Sequence, residues 1–288
     1  MEFKPRFPTL AKTSPKSLIN QGSPIVILRD QFTISTWLLL GASVNVALSL
    51  LLPQSSIYIG GLMLSVLGFR VGLALLQTFG ILHNPGMDKV VLGKVSPQIP
   101  DVYGHLPTEP SQERVVVLLV GFRSNHPLGA LAPGFKETTN GFSEMLKVLD
   151  GPEGRQKYGF LGMSSYMGME SSAANEIISI SYWRNIEAIH EFAYSPVHKE
   201  VWDWWNRTEK KHDHIAIMHE IYRAEGRQGA HEAVYVNSKP TLLGGTAYPT
   251  KEKTEEKEDE LVWRSPLVEA RRGVLASGKG RLGQLKRS

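Results

Sequence analysis

Hydrophobic positions are spread unevenly along this chain. From Thr33 to Leu52, TISTWLLLGASVNVALSLLL, no residue carries a formal charge, and a second apolar stretch from Ile57 to Leu82 is interrupted by Arg70 and Gln77. At about 1.5 Å of rise per residue, each stretch is long enough as a helix to cross a hydrocarbon core of about 30 Å. Two transmembrane helices are therefore expected over residues 33–82, joined at Pro53-Gln54-Ser55-Ser56. The first begins too far into the chain, and is too long, to be the h-region of a cleaved signal peptide. Gly68 and Gly72, with Ser43 and Ala47, form small-xxx-small faces on which the two helices are expected to pack closely.

After the Pro- and Gly-rich stretch Asn84–Ser111, the periodicity changes character. This stretch reads as a linker or a short lead-in strand at Lys89–Leu92. The continuous apolar run Glu113–Phe122 reads as a buried strand. Phe135–Leu149 places Phe135, Phe142, Met145, Leu146 and Leu149 at helical spacing. Tyr158–Tyr166 and Ile177–Trp183 read as a strand pair, and Asn185–Arg207 as a helix that Ser195-Pro196 divides in two. His214–Arg223 and Ala230–Ser238 supply two further strands. Strand, helix, two strands, broken helix and two strands in that order spell a ferredoxin-like α+β unit with an extra strand.

Charge adds a topology. Lys4, Arg6, Lys12, Lys16 and Arg29 precede the first span, Lys89 and Lys94 follow the second, and no basic residue lies in the turn. Both termini are therefore expected in the cytosol, with Trp37 and Tyr58 as interfacial aromatic residues. Arg70, about 9 Å from the cytosolic end of its helix, can snorkel toward the headgroups. The tail from Arg264 onward holds seven basic residues against one acid, Glu269, and follows the charge run Lys251–Glu260. It reads as disordered, with anionic lipid as one surface on which it could rest. The expected domains are a cytosolic N-terminal segment 1–32, the hairpin 33–82, a linker 83–112, the folded unit 113–238 and a disordered charged tail 239–288.

The chain of 288 residues has no cysteine, which excludes disulfides, Cys-ligated zinc, iron–sulfur clusters, thiolate haem and a cysteine nucleophile. A net charge of +4, dispersed through the middle of the chain, gives no argument for nucleic acid. Several motifs match in letters alone. Gly278-Lys279-Gly280-Arg281-Leu282-Gly283 is a GxGxxG, yet the chain ends five residues later, without the helix and distal acid a dinucleotide fold requires. His190-Glu191 and His219-Glu220 open an HExxH pattern that Tyr194 and Arg223 leave incomplete. His212 and His214 share one face of a strand, with no accompanying carboxylates, and read as solvated edge histidines.

The constellation that carries chemistry is Ser181–Asn206. A strand ending in Trp183 leads onto a helix with His190 and Tyr194 at i and i+4, and His198 and Trp202 repeat that spacing after the break. Imidazoles and aromatic rings beside a sheet suit a mostly apolar small-molecule pocket. The pattern SYW-R-x-I-E-A-I-H-x-F-A-x-S-P-x-H followed by WDWWN resembles the fungal monooxygenase-like family of fumagillin-type biosynthetic clusters. That family is related to the antibiotic-biosynthesis monooxygenases, and the likeness spans about Glu113 to Ser238.

The resemblance implies a dimeric α+β barrel, here preceded by the membrane hairpin, and a homodimer formed through the sheet. It implies a membrane-anchored monooxygenase, independent of any cofactor, that uses dioxygen on a hydrophobic polyketide- or terpenoid-like intermediate of secondary metabolism. An endoplasmic-reticulum location fits the anchor. His190 is the expected general base and His198 the competing one, with Trp183 and Tyr182 lining the pocket or donating to a developing oxyanion. Tyr166 and Arg184 are the fallback residues. The alternatives are a haem-binding or haem-degrading barrel with His190 or His198 as axial ligand, and a non-catalytic scaffold that binds a lipophilic metabolite.

Overall fold

The computed structural model describes residues 3–7, 17, 29, 31–168, 176–226, 229–254 and 257–284. Helix α1 runs over Ile34–Leu51, and its first turn is closed by Thr33, whose hydroxyl oxygen accepts from the Thr36 amide at 3.2 Å. The 3-10 turn Pro53–Ser55 leads into α2 over Ser56–Thr78. Neither helix buries a residue, and both are long and apolar enough to cross a membrane. The expected tight packing through glycine is not formed, because nothing lies within 4 Å of a Cβ built at Gly68 or Gly72. Between two such helices no hydrophobic gain enforces contact, since lipid tails are as apolar as the side chains they would displace.

The folded unit has two sheets that matter here. Strands β2 (Val115–Ser124), β3 (Phe160–Met167), β4 (Ile177–Trp183) and β5 (Ile215–Ala224) form an antiparallel sheet in the order β3-β4-β2-β5. Helices α3 (Phe135–Asp150) and α4 (Pro152–Tyr158) connect β2 to β3, while α5 (Ile186–Ala193) and α6 (Pro196–Thr208) connect β4 to β5. This is the ferredoxin-like order, with the helices on one face. The break at Ser195-Pro196 falls as the sequence predicts. Asn185 caps α5, its side-chain oxygen accepting from the Ala188 amide at 2.8 Å, and proline opens α6 at a position that needs no amide donor.

Pairing register assigns the faces. Val116 opposes Trp183, Leu118 opposes Ser181 and Phe122 opposes Ile177, so these residues face the helices, with Tyr158, Ile189 and Phe192 closing that core. The alternate positions Val115 and Tyr182 point the other way, into a second core with Ile99, Leu161, Leu243 and Tyr248.

Three expectations change here. Among the described residues from 239 to 284, the expected disordered tail is instead folded: β7 (Tyr248–Thr254) and β8 (Lys257–Arg264) form a hairpin, β9 (Leu267–Glu269) follows, and Tyr248, Trp263, Val268 and Ala270 are wholly buried. Mixed charge made this stretch look solvated, but Leu243 and Tyr248 join the second core, and Val268, Ala270 and Leu275 form a separate cluster with Phe3. The predicted fifth strand, β6 (Tyr235–Ser238), leaves the main sheet and pairs with β1 (Val91–Pro97), which in turn pairs with β9. The linker therefore contributes a central strand. Lys12, Lys16, Lys286 and Arg287 lie outside the described residues.

The N-terminal segment docks on the same small sheet. Pro5 bridges Val268, the Arg6 amide donates to Leu267 O at 2.9 Å, and Phe3 packs with Val268, Ala270 and Leu275. The GxGxxG letters form a four-residue turn of helix, α7 (Gly278–Arg281). Its Arg281 is buried and bonded to Glu232 at 2.5 Å and to Leu275 O at 2.9 Å, a structural clasp.

Candidate active site

The four residues expected to form the site are not brought together. Trp183 is 1% exposed in the helix-side core, where its Nε1 donates to Ser181 Oγ at 2.8 Å. Tyr182, its neighbour along the strand, faces the opposite core, because successive strand residues point to opposite faces. Burial pushes its hydroxyl well above the usual phenol range, reinforced by Tyr235. On α5, Ala188, Ile189 and Phe192 take the buried face, which turns His190 and the 86% exposed Tyr194 outward. His198 is half-buried, its ring 5.9 Å from that of Phe192, and burial lowers its pKa. The haem alternative required His190 or His198 as axial ligand, and neither lines the cavity described next.

That cavity, of about 500 Å³, opens where β4 ends. Its walls include Arg184, the residue after Trp183, with Arg155, Gly159 and Leu161 from the α4–β3 region, Tyr103 and His105 from the former linker, and Pro249, Thr250 and Leu261 from the β7–β8 hairpin. Arg184 donates to Pro100 O at 2.5 Å and to Asp101 O at 2.8 Å, and its guanidinium lies 4.8 Å from the centroid of the Tyr248 ring. Burial lowers the pKa of this guanidinium, with Tyr248 acting in the opposite sense, and raises that of the Tyr248 hydroxyl to about 12. Arg155 forms a buried pair with Asp150 at 2.9 Å, donates to Leu161 O at 2.8 Å, and is sandwiched between Phe160 and Trp263 at 5.2 and 5.5 Å.

The loop that carries Tyr103 and His105 is held from several sides. The Asp101 amide donates to His105 O at 2.9 Å, and Asp101 Oδ1 accepts from the Tyr103 and His105 amides, each at 2.8 Å. Thr250 donates to Tyr103 O at 2.8 Å and Arg264 to Gly104 O at 2.9 Å. Gly104 is required, since its φ is +80° and an added Cβ would sit 2.3 Å from Thr250 Cβ. His105 Nδ1 stands 3.3 Å from Asp101 Oδ2.

Of the residues singled out from sequence, Arg184 alone lines this cavity. Those that were missed come from the α4–β3 region and from the stretches read as linker and tail. The one legible signal was Asp101 and His105 spaced by four within Asp101-Val102-Tyr103-Gly104-His105.

A ferredoxin-like α+β domain with a small-molecule cavity at one end of its sheet defines a class in which reactions differ widely. Sequence narrows it. The family described as monooxygenase af470-like matches residues 115–243. The chain is also 32% identical, over 257 residues, to monooxygenase af470 of Aspergillus fumigatus, with 89% of this chain and 90% of that protein covered. The chain belongs to this family of monooxygenases.

Among solved structures it is similar to SnoaB, a cofactor-independent oxygenase from Streptomyces nogalater. That match has 14% identity and a TM-score of 0.26, covering 37% of this chain and 90% of that one. It is also similar to an aldoxime dehydratase crystallised with butyraldoxime, at 13% identity and a TM-score of 0.31, covering 47% of this chain and 32% of that one. The fold assignment rests on the strand order given above, not on these matches.

Proposed function

We propose that this monooxygenase is anchored in a membrane by α1 and α2, and that it oxidises a hydrophobic secondary-metabolite intermediate in the cavity beside Arg184 without a resident cofactor. The observation that carries the reading is the cavity itself, with a half-buried guanidinium at the end of β4 in a chain of this family. In such a reaction the substrate loses a proton, the resulting anion passes electrons to dioxygen, and one oxygen atom stays on carbon while the other leaves as water. A methylene that becomes a carbonyl supplies both hydrogens of that water, so no outside reductant is needed. Arg184 supplies fixed positive charge where the oxyanion develops.

Support for a hairpin with both ends on one side comes from the small sheet. Residues before α1 and residues after α2 meet there, Pro5 on β9 and Val95 in β1 beside it. We assign that side to the cytosol and the membrane to the endoplasmic reticulum. The homodimer is proposed through the sheet face away from the helices, where Leu119, Ile178 and Ile180 are half-buried and Met218 and Tyr222 are 51% and 56% exposed.

Two measurements test the proposal. Carbonate washing should leave the protein in the membrane and detergent should release it; release by carbonate alone refutes the anchor. Deleting the gene in its host should make a lipophilic precursor accumulate, and the complemented strain should incorporate isotopically heavy oxygen from dioxygen into the missing product. An unchanged metabolite profile refutes the oxidation.

A further inference from the structure

Given that the cavity is where oxidation occurs, we infer that its general base is His105, held by Asp101. The argument begins with division of labour within one carboxylate. Asp101 Oδ1 is occupied by the Tyr103 and His105 amides, which shape the loop, and Oδ2 is left to face the His105 ring at 3.3 Å. A carboxylate accepts only, so the ring nitrogen facing it, Nδ1, carries the hydrogen. Nε2 is then the lone-pair nitrogen, free of Asp101, in a residue that lines the cavity with 72% of its side chain exposed. An imidazole oriented in this way by an aspartate is the arrangement that proton abstraction requires.

The loop is also pre-organised. Arg184 at the end of β4 and Thr250 and Arg264 of the β7–β8 hairpin reach it, and Gly104 permits a backbone turn that a side chain would block. A second pair, His83 with Asp88 at 2.6 Å, has similar chemistry but borders no described cavity, and so serves as the internal comparison.

The step is a proton transfer. Nε2 takes a proton from a carbon or hydroxyl made acidic by an adjacent carbonyl or aromatic ring, the electron pair stays on the substrate, and the negative charge develops beside Arg184. The imidazolium later gives that proton to the peroxide formed on the substrate, whose outer oxygen leaves as water when the O–O bond breaks and the same carbon gives up its second hydrogen. The substrate class is thus an enolisable or phenolic lipophile, and a hydrocarbon without such a group is not a substrate. His105 is the catalytic residue and Asp101 its positioning residue.

The test uses the full chain in detergent, with the lipophilic extract of the gene-deleted strain as substrate. In the unaltered protein kcat/KM should rise with pH, as it must where an unprotonated base is required. His105→Ala should lower turnover by about 10²–10⁴-fold and abolish that rise, His105→Gly should be partly rescued by added imidazole, and His83→Ala should behave as the unaltered chain. Asp101→Asn keeps an oxygen for the two amides but turns a donor toward the ring, so it should impair turnover with melting unchanged. Nitrogen NMR should find His105 protonated at Nδ1 in the unaltered chain and at Nε2 in Asp101→Asn. Wild-type turnover and pH profile in His105→Ala overturn the inference. If no protein turns over the extract, the oxidation reading fails, and the dyad is then judged by NMR alone, where a ring protonated at Nε2 in the unaltered chain overturns it.

Discussion

Trp183 and Tyr182 illustrate how one residue of register separates roles. The first is packed with Phe160 and Phe192, at ring separations of 5.1 and 6.0 Å, and holds the helix layer to the sheet. Trp183→Ala should therefore cost about 3–5 kcal/mol of stability, the usual cost of emptying a buried aromatic site, read as a lower denaturation midpoint. A loss of turnover without a loss of stability would instead make it a residue of the site. His198 and His231 carry a second prediction. Burial lowers both ring pKa values, so each is held neutral in the folded chain while the unfolded chain takes up protons at its ordinary value. Stability is thus full above that value and should fall as the pH drops below about 6.5. Urea titrations should find the drop reduced in His198→Gln, and an unchanged pH dependence would contradict this.

Helices and strands were placed well by their periodicity, and β3 was paired with β4 as expected, yet the partners of β6 and of the C-terminal strands were not foreseen. The α5–α6 break is local chemistry, since proline cannot sit in a helix interior and is at ease in a first turn. The pairing of β6 with β1, across more than a hundred residues, has no local signature. The same holds for the C-terminal strands, where Trp263 covers Arg155 and Val268 accepts the N-terminal segment. A chain ending after Ser238 should consequently aggregate or bind hydrophobic dye, because it lacks Leu243, Tyr248 and Trp263 and exposes the second core. A well-dispersed, cooperative unfolding profile for that truncation would show the tail to be dispensable.

The assembled molecule leaves one sheet face partly bare. On it Leu119, Ile180 and Met218 lie around Gly121, while Glu220 and Tyr222 are bonded to each other through carboxylate and hydroxyl. A charge in the middle of an apolar two-fold contact meets its own copy, so Met218→Glu should convert a dimer to a monomer in light scattering of the detergent-solubilised chain. A monomer already present before substitution would remove the proposed dimer.

Local pattern was sufficient for the two apolar spans, the strand–helix order from Glu113 to Arg223 and the break at Pro196, because each follows from a repeat of side chains along a few turns or pleats. It also carried the family likeness, concentrated in Ser181–Asn206. Residues near in sequence, Tyr182, Trp183, His190 and His198, do not share a cavity here. Strand alternation sent Tyr182 and Trp183 to opposite cores, and the amphipathic face of α5 turned His190 outward. The cavity instead gathers Arg184 with Tyr103, His105 and Thr250, contributed by stretches whose proline, glycine and charge disguised them as linker and tail. Which distant segments meet depends on long-range burial around Tyr248 and Trp263, a property of the packed chain that no short window of residues contains.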